Sequence, residues 1–170
     1  MDASERREQI RQRLAAASGP ISATALAQQL GVSRQIIVGD VALLRAAGAD
    51  ISATPRGYII AREQTGLVRT VACRHTGEEM QDELNAMVDL GCTVLDVIVE
   101  HPIYGQLTGP LHLSNRYEVQ QFIRRSQELS AHPLSILTEG IHLHTVSCAD
   151  EAAFERLLTA LRELHILLEP

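Results

Sequence analysis

The stretch Leu30-Gly31-Val32-Ser33-Arg34-Gln35 separates two short segments that both have the apolar spacing of an amphipathic helix. Gly31 permits a tight turn, and Ser33 is a residue type that caps the start of a helix. The second segment carries one buried stripe at positions i, i+4 and i+7, formed by Ile37, Val41 and Leu44. Two short helices joined in this way predict a helix-turn-helix, in which the second helix enters the major groove of DNA.

The flanking segments predict a complete winged helix-turn-helix over residues 1–64. A helix is predicted from Ser4 to Ala17, and two strands are predicted at 49–51 and 57–60, around a turn with Arg56 at its tip. The predicted DNA contacts lie at the start of the second helix of the pair and in the wing: Ser33, Arg34, Gln35 and Arg56. A three-helix interaction module without a DNA role is the alternative. The segments 30–35 and 42–46 resemble the winged-helix domain of many bacterial repressors, which favours DNA binding.

The charge of the chain is divided unevenly between its two halves. Residues 1–64 hold eight arginines and six acids, a balance of +2, whereas residues 65–170 hold seven arginines and fifteen acids, a balance of −8. The chain contains no lysine, so every fixed positive contact is an arginine, which suits bidentate recognition of phosphate or guanine. We therefore expect tight DNA binding to depend on dimerisation or on an effector.

Apolar and amphipathic segments alternate over residues 65–170 and predict an α+β domain, sandwich-like, with a mainly antiparallel sheet. A split β-α-β core is expected within it. The predicted order is strand, helix, two strands, helix, strand, helix and a short final strand: 67–74, 77–90, 93–100, 105–113, 117–129, 140–146, 151–164 and 166–168.

Three histidines and one glutamate of this domain form a candidate metal site. His142 and His144 are two residues apart on a predicted strand, so their side chains point to the same face of the sheet. His75 ends the first strand, directly before a capping-box pattern that starts the next helix. On that helix Glu83 falls inside the apolar arc at ~100° per residue, where a lone carboxylate is costly to bury. A metal ion bound by the three histidines and Glu83 would be the partner that this carboxylate needs. Nitrogen and oxygen donors of this kind suit zinc, nickel or iron.

These residues also have a simpler interpretation, in which each histidine is half-buried and Glu83 pairs with an arginine. A further motif runs from Glu100 to Gly105 and places an imidazole and a phenol on a rigid connection between two strands. His101 and Tyr104 are therefore candidate ligand-binding residues, and a turn that caps its own backbone is an equal alternative. The remaining histidines are predicted to lie at the surface or in turns: His112, His132 and His165.

The domain carries a set of recognisable motifs: Arg74-His75-Thr76, Glu79, Asp82-Glu83-Leu84, residues 97–105 and residues 139–145. Together they resemble the 3H domain, named for its histidines, which behind a winged helix is typical of nicotinate-responsive repressors of NAD biosynthesis and niacin uptake genes. The resemblance implies a homodimer that binds a palindromic operator, with nicotinic acid as corepressor. It also implies a divalent transition metal, nickel or zinc, at His75, Glu83, His142 and His144.

Two other functions stay open at the level of sequence. An open His/Glu metal site could activate water in a hydrolase, although no nucleophile or phosphate-binding glycine loop stands out. The domain could also be a metal-stabilised dimerisation module. We expect a cytoplasmic regulator that is not an enzyme and has no contact with a membrane, because the sequence lacks an apolar signal segment and a stretch of 18 apolar residues. Its three cysteines favour ordinary burial over a disulfide framework or a cysteine-based zinc site.

Overall fold

A computed structural model describes residues 1–60 and 64–170, and residues 61–63, which the prediction assigned to the first domain, lie outside the described residues. The chain divides into two units, Met1–Glu63 and Gln64–Pro170. Helices lead into a small sheet in the first unit and alternate with an antiparallel sheet in the second, which confirms the predicted α+β class.

Residues 1–60 form three helices and a two-stranded antiparallel sheet: α1 (Ala3–Ala16), α2 (Ala23–Leu30), α3 (Arg34–Ala46), β1 (Ile51–Thr54) and β2 (Gly57–Ile60). The turn between α2 and α3 forms as predicted. Gly31 adopts a left-handed φ of +65°, and the hydroxyl of Ser33 accepts a hydrogen bond from the backbone N–H of Ile36 at 3.3 Å. The strand predicted at 49–51 begins only at Ile51, because the N–H of Ala49 bonds to a carbonyl near the end of α3.

The core of the first unit contains one buried carboxylate that the sequence did not reveal. Asp40 on α3 is 4% exposed and accepts a hydrogen bond from Nε of Arg6 on α1 at 2.5 Å. Nη1 of Arg7 lies 3.6 Å from the same carboxylate. This ion pair joins the first helix to the third beside the apolar stripe of Ile37 and Val41, both of which are buried as predicted.

Residues 64–170 form a four-stranded antiparallel sheet and three α-helices: β3 (Leu67–Arg74), α4 (Met80–Asp89), β4 (Thr93–His101), β5 (Gly105–Leu113), α5 (Arg116–Glu128), β6 (Ile141–Cys148) and α6 (Glu151–Glu163). The strand order is β3-β6-β4-β5. Strands β3 and β4 are connected through α4 and run antiparallel to β6, which lies between them. This is the split β-α-β arrangement that the sequence predicts.

Two details of the second unit differ from the prediction. The expected final strand at 166–168 is reduced to a single bridge between Leu167 and Cys73, because the N–H groups of Ile166 and Leu167 bond to the carbonyl of Leu161 in α6. The helix predicted from Gly77 begins with a 3-10 turn, Gly77–Glu79, before α4, and a second 3-10 helix, Leu134–Thr138, was not predicted.

One face of this sheet packs against all three helices in a single hydrophobic core. Side chains alternate along β6, so that His142, His144 and Val146 are buried, whereas Ile141 lies on the other face and is 40% exposed. The three cysteines of the chain are free and buried, as predicted. Within residues 1–60 and 64–170, no helix has the length and apolar character needed to cross a membrane.

Candidate functional site

The predicted DNA contacts lie at the two expected places in the first unit. Ser33, Arg34 and Gln35 are exposed at the N-terminus of α3, where the second helix of a helix-turn-helix meets base edges. Arg56 is half-buried in the turn between β1 and β2. Gly39 is exposed on α3, and a methyl group added there would meet no other atom within 4 Å.

In the second unit, three imidazoles converge on one carboxylate. The Nε2 atom of His75 lies 2.6 Å from Oε2 of Glu83. The Nε2 atoms of His142 and His144 lie 3.0 Å and 3.3 Å from the oxygens of the same carboxylate. All four residues are buried, with Glu83 only 1% exposed. The structure therefore brings together the four candidate metal ligands from the residue after β3, from α4 and from β6, although they are separated by up to 69 positions (75 to 144) in the sequence.

Each ring is held by a backbone carbonyl on its other nitrogen. Nδ1 of His75 donates to the carbonyl oxygen of Thr76, Nδ1 of His142 donates to that of Gly140 at 2.8 Å, and Nδ1 of His144 donates to that of Asp96 at 2.7 Å. Because a carbonyl oxygen only accepts, the proton of each neutral ring must be on Nδ1. In each neutral ring the lone pair of Nε2 therefore points at Glu83, which is the orientation that metal-ligating histidines have in proteins.

Two of these carbonyls come from irregular pieces of backbone. On β4, Val94 and Ile98 pair with Val146 and Leu143 of β6, so four steps on one strand match three on the other. The extra residue on β4 forms a β-bulge between Val94 and Ile98, and the carbonyl of Asp96 within it accepts a hydrogen bond from the ring of His144. The sequence pattern contained no signal for this bulge.

The second irregularity is Gly140, which has a φ of +89°. A Cβ at this position would lie 2.3 Å from the carbonyl oxygen of His75, so only glycine allows the two backbones to approach. Gly140 thus positions two of the rings, because its carbonyl also accepts from His142.

The charges of the cluster support one another. Burial raises the pKa of Glu83, but the charge of His144 and the contacts with all three rings outweigh burial and hold this pKa well below its usual range. Burial lowers the pKa of His75 and of His144, but the carboxylate of Glu83 more than offsets it, so both pKa values are raised. The anionic carboxylate and at least one positive charge beside it are therefore favoured together.

Protonation of the three rings cannot by itself balance the charges and lone pairs of this cluster. One carboxylate neutralises one imidazolium, so three protonated rings would leave two uncompensated charges in a buried place, which is costly. Neutral rings would instead direct three lone pairs at the oxygens of Glu83. A divalent cation removes both problems, and donor atoms bound to one ion at about 2.0–2.2 Å lie roughly 3 Å apart. The distances from each Nε2 to the oxygens of Glu83, 2.6–3.3 Å, are close to this separation, so His75, His142 and His144 each lie where they could share such an ion with Glu83.

The sequence did not reveal that Cys73 lies beside the candidate metal ligands. The sulfur of Cys73 forms a group with Glu83 and His142 in which the potential ligand atoms all lie within 4.8 Å of one another. Burial and the neighbouring Glu83 raise the pKa of the Cys73 thiol. Cys73 is two residues from His75 in a segment predicted as a strand, which indicates a shared face, but the lack of CxxC spacing favoured plain core packing.

A cavity of about 580 Å³ opens beside the cluster. Its lining includes Arg74, His75, Ser135, Glu139 and Gly140. This volume is within the range of small-molecule sites. His75 of the cluster and Arg74 thus border one cavity.

The other predicted ligand residues are not part of the lining of this cavity. His101 and Tyr104 lie where β4 turns into β5, and Tyr104 is 73% exposed. Their rings contact each other with centroids 5.0 Å apart, and Nδ1 of His101 accepts backbone N–H groups of the turn. These contacts match the alternative in which the turn caps its own backbone, and a ligand role for the two residues stays a prediction.

Comparisons with known proteins agree with this architecture. A family model described as a 3H domain matches residues 68–170, and a model described as an HTH domain matches residues 6–59. The chain is 43% identical over 150 residues to the probable transcription repressor NiaR of Thermotoga maritima, which covers 88% of this chain and 86% of that protein. It is 39% identical over 168 residues to the transcription repressor NadR of Bacillus subtilis, with 96% and 93% covered. Both relatives are named as repressors, in agreement with the prediction of a DNA-binding regulator that is not an enzyme.

Proposed function

The chain belongs to the family of transcription repressors that combine an HTH domain with a 3H domain, and we propose that nicotinic acid is its corepressor. Its targets in this proposal are genes of NAD biosynthesis or niacin uptake. The observation that carries the proposal is the convergence of three imidazoles and one carboxylate beside a cavity, within a chain of this family.

The donor set supports a bound divalent metal, nickel or zinc, with His75, Glu83, His142 and His144 as its ligands. When bound, the ion supplies a Lewis acid that can hold the nitrogen or carboxylate of a pyridine acid. The side chains themselves orient one another, since each Nδ1 is fixed by a backbone carbonyl and each Nε2 is directed at Glu83.

The cavity beside the cluster supports binding of a small anion. Arg74 lines it and offers a guanidinium group, which pairs well with a carboxylate, although Glu79 and Glu139 belong to the same lining. His75 is the cluster residue that lines the cavity. Nicotinate combines a carboxylate with a ring nitrogen and is small enough for a volume of about 580 Å³. His101 and Tyr104 are kept as second candidates for contacts with the effector.

Control of DNA binding requires that the effector distinguish two arrangements of the protein. Nicotinate strengthens operator binding only if it binds more tightly to the arrangement that fits DNA. In the proposal the repressor is a two-fold homodimer, which matches a palindromic operator with half-sites about one helical turn apart.

The direct test is a DNA-binding titration followed by fluorescence anisotropy. The metal-loaded protein with nicotinate first selects its site from a random DNA library, and the affinity for that site is then measured with and without nicotinate. We expect an increase in affinity of roughly 5- to 150-fold, the usual size of allosteric coupling. Equal affinity in both conditions rejects nicotinic acid as the corepressor.

Two variants separate the sensor from the DNA-binding unit. His144→Ala removes a buried ring of the cluster and should abolish the nicotinate response while weak binding to DNA remains. His165→Asn changes an exposed histidine with a φ of +58°, which asparagine tolerates, and should respond like the wild type. If chelation dissociates the dimer and nicotinate leaves the melting temperature unchanged, the domain is a metal-stabilised dimerisation module instead.

A further inference from the structure

Cys73 is placed as a neighbour of the metal-binding candidates and not only as a part of the core. It pairs in register with His142 across the β3–β6 ladder, so the two side chains are adjacent on one face of the sheet. It is completely buried. Its sulfur, a carboxylate oxygen of Glu83 and a ring nitrogen of His142 all lie within 4.8 Å of one another.

We propose that the sulfur of Cys73 is an additional ligand of the metal ion, which makes the site a mixed nitrogen, oxygen and sulfur site. This inference rests on the proposed metal centre and extends it by one residue. Binding breaks the S–H bond, releases the proton to solvent and gives a sulfur electron pair to the ion, so nothing is oxidised or reduced. A thiolate favours zinc, nickel or cobalt and disfavours magnesium or manganese, so Cys73 sets the selectivity of the site.

The other two cysteines provide an internal control. Cys92 and Cys148 lie in the core with their sulfur atoms 2.7 Å apart, and they do not belong to the group formed by Cys73, Glu83 and His142. A spectroscopic signal from a metal-bound thiolate should therefore depend on position 73 and not on position 92.

Cobalt(II) is a suitable probe because its spectrum separates binding from thiolate ligation. The metal-free full-length protein is titrated with cobalt(II) at fixed pH, and the absorption spectrum is recorded. We expect visible d–d bands from the bound ion together with a near-ultraviolet sulfur-to-cobalt charge-transfer band. Cys73→Ser should lose the charge-transfer band and keep the d–d bands, whereas Cys92→Ser should keep both.

Selectivity gives a second, independent readout. Competition between zinc and manganese should favour zinc less strongly in Cys73→Ser, with the affinity ratio reduced by roughly 10-fold or more, because a soft donor has been removed.

The outcomes distinguish this inference from the proposed function. In the wild type, d–d bands without a charge-transfer band overturn the role of Cys73 and leave the histidine–glutamate site intact, whereas no cobalt binding at all overturns both. A charge-transfer band that persists in Cys73→Ser assigns the thiolate to another cysteine and also overturns the inference. If the variant does not fold, X-ray absorption of wild-type protein loaded with cobalt decides, since the inference requires one sulfur in the coordination shell.

Discussion

A single methyl group at Gly140 should damage both the stability and the metal affinity of the second unit. The Cβ of alanine would lie 2.3 Å from the carbonyl oxygen of His75, whereas real Cβ contacts stay beyond 3.0 Å, so one backbone must move by about 0.7 Å, the difference between these distances. The left-handed φ of +89° adds strain of about 1–2 kcal/mol. Displacement of the packed backbone should add a further ~1–3 kcal/mol.

Gly91 offers a matched control for this substitution. Its φ is +78°, but a Cβ there would meet nothing within 4 Å. Gly91→Ala should therefore show the backbone strain without the clash and lower the free energy of unfolding by about 1–2 kcal/mol. For a unit of this size, that corresponds to a decrease in melting temperature of roughly 4–16 °C, and Gly140→Ala should exceed the value measured for Gly91→Ala.

Thermal unfolding of the metal-free variants measures the first effect, and calorimetric titration with nickel or zinc measures the second. Gly140→Ala should bind metal about 10- to 100-fold more weakly, because the substitution displaces His75 and the carbonyl that orients His142. Gly91→Ala should bind metal like the wild type. If the two variants have the same melting temperature and the same metal affinity, the structural role given to Gly140 is wrong.

Gly39→Ala should raise the free energy of unfolding of the first unit by about 0.5–1 kcal/mol in a denaturant titration, because Gly39 lies inside α3 with open space around its Cα; a decrease would contradict this. Arg34→Ala should weaken DNA binding and change the preferred bases. Arg56→Ala should reduce by about 1 the slope of the logarithm of the binding constant against the logarithm of the salt concentration. If both variants keep the wild-type slope, another surface reads the DNA. In chelator-treated protein, the raised pKa of His144 provides stability below its ordinary pKa of 6.5 that is lost as pH rises through the folded-state pKa. The lowered pKa of Glu83 provides stability above its ordinary value of 4.5 that is lost as pH falls through the folded-state pKa. Thermal melts should therefore show the highest melting temperature between about pH 4.5 and 6.5. Glu83→Gln should flatten this dependence of melting temperature on pH, and an unchanged profile in that variant would contradict the charge assignment.

Local signals in the sequence were sufficient for the helix-turn-helix and for the metal candidates. Ser33 caps α3 as its residue type predicts, and Gly31 has the left-handed conformation that the turn needs. Glu83 was identified because a carboxylate on the apolar arc of a helix needs a partner, and the structure buries it among three rings. The two-residue spacing of His142 and His144 was sufficient to place both on one face.

Features that depend on contacts between distant segments were not predictable in this way. The burial of the Asp40 carboxylate on α3 depends on its ion pairs with arginines more than 30 positions earlier in the chain. The apolar pattern of a helix does not reveal such a distant partner. The position of Cys73 became clear only when its register against His142 was known. The apolar residues at 166–168 predicted a strand, but the backbone there bonds to the carbonyl of Leu161 in α6 and makes a single bridge with β3.

Three irregular pieces of backbone in the second unit lie at the candidate metal site, and what they do there is itself an argument for function. A regular strand uses its carbonyls in the ladder and leaves none for a side chain on the buried face. The three carbonyls that hold the rings come instead from the start of a helix at Thr76, the bulge at Asp96 and the left-handed Gly140. Packing alone does not require such departures, which interrupt sheet hydrogen bonds and bring two backbones unusually close. They are explained if the fold has to keep three Nε2 lone pairs directed at one point.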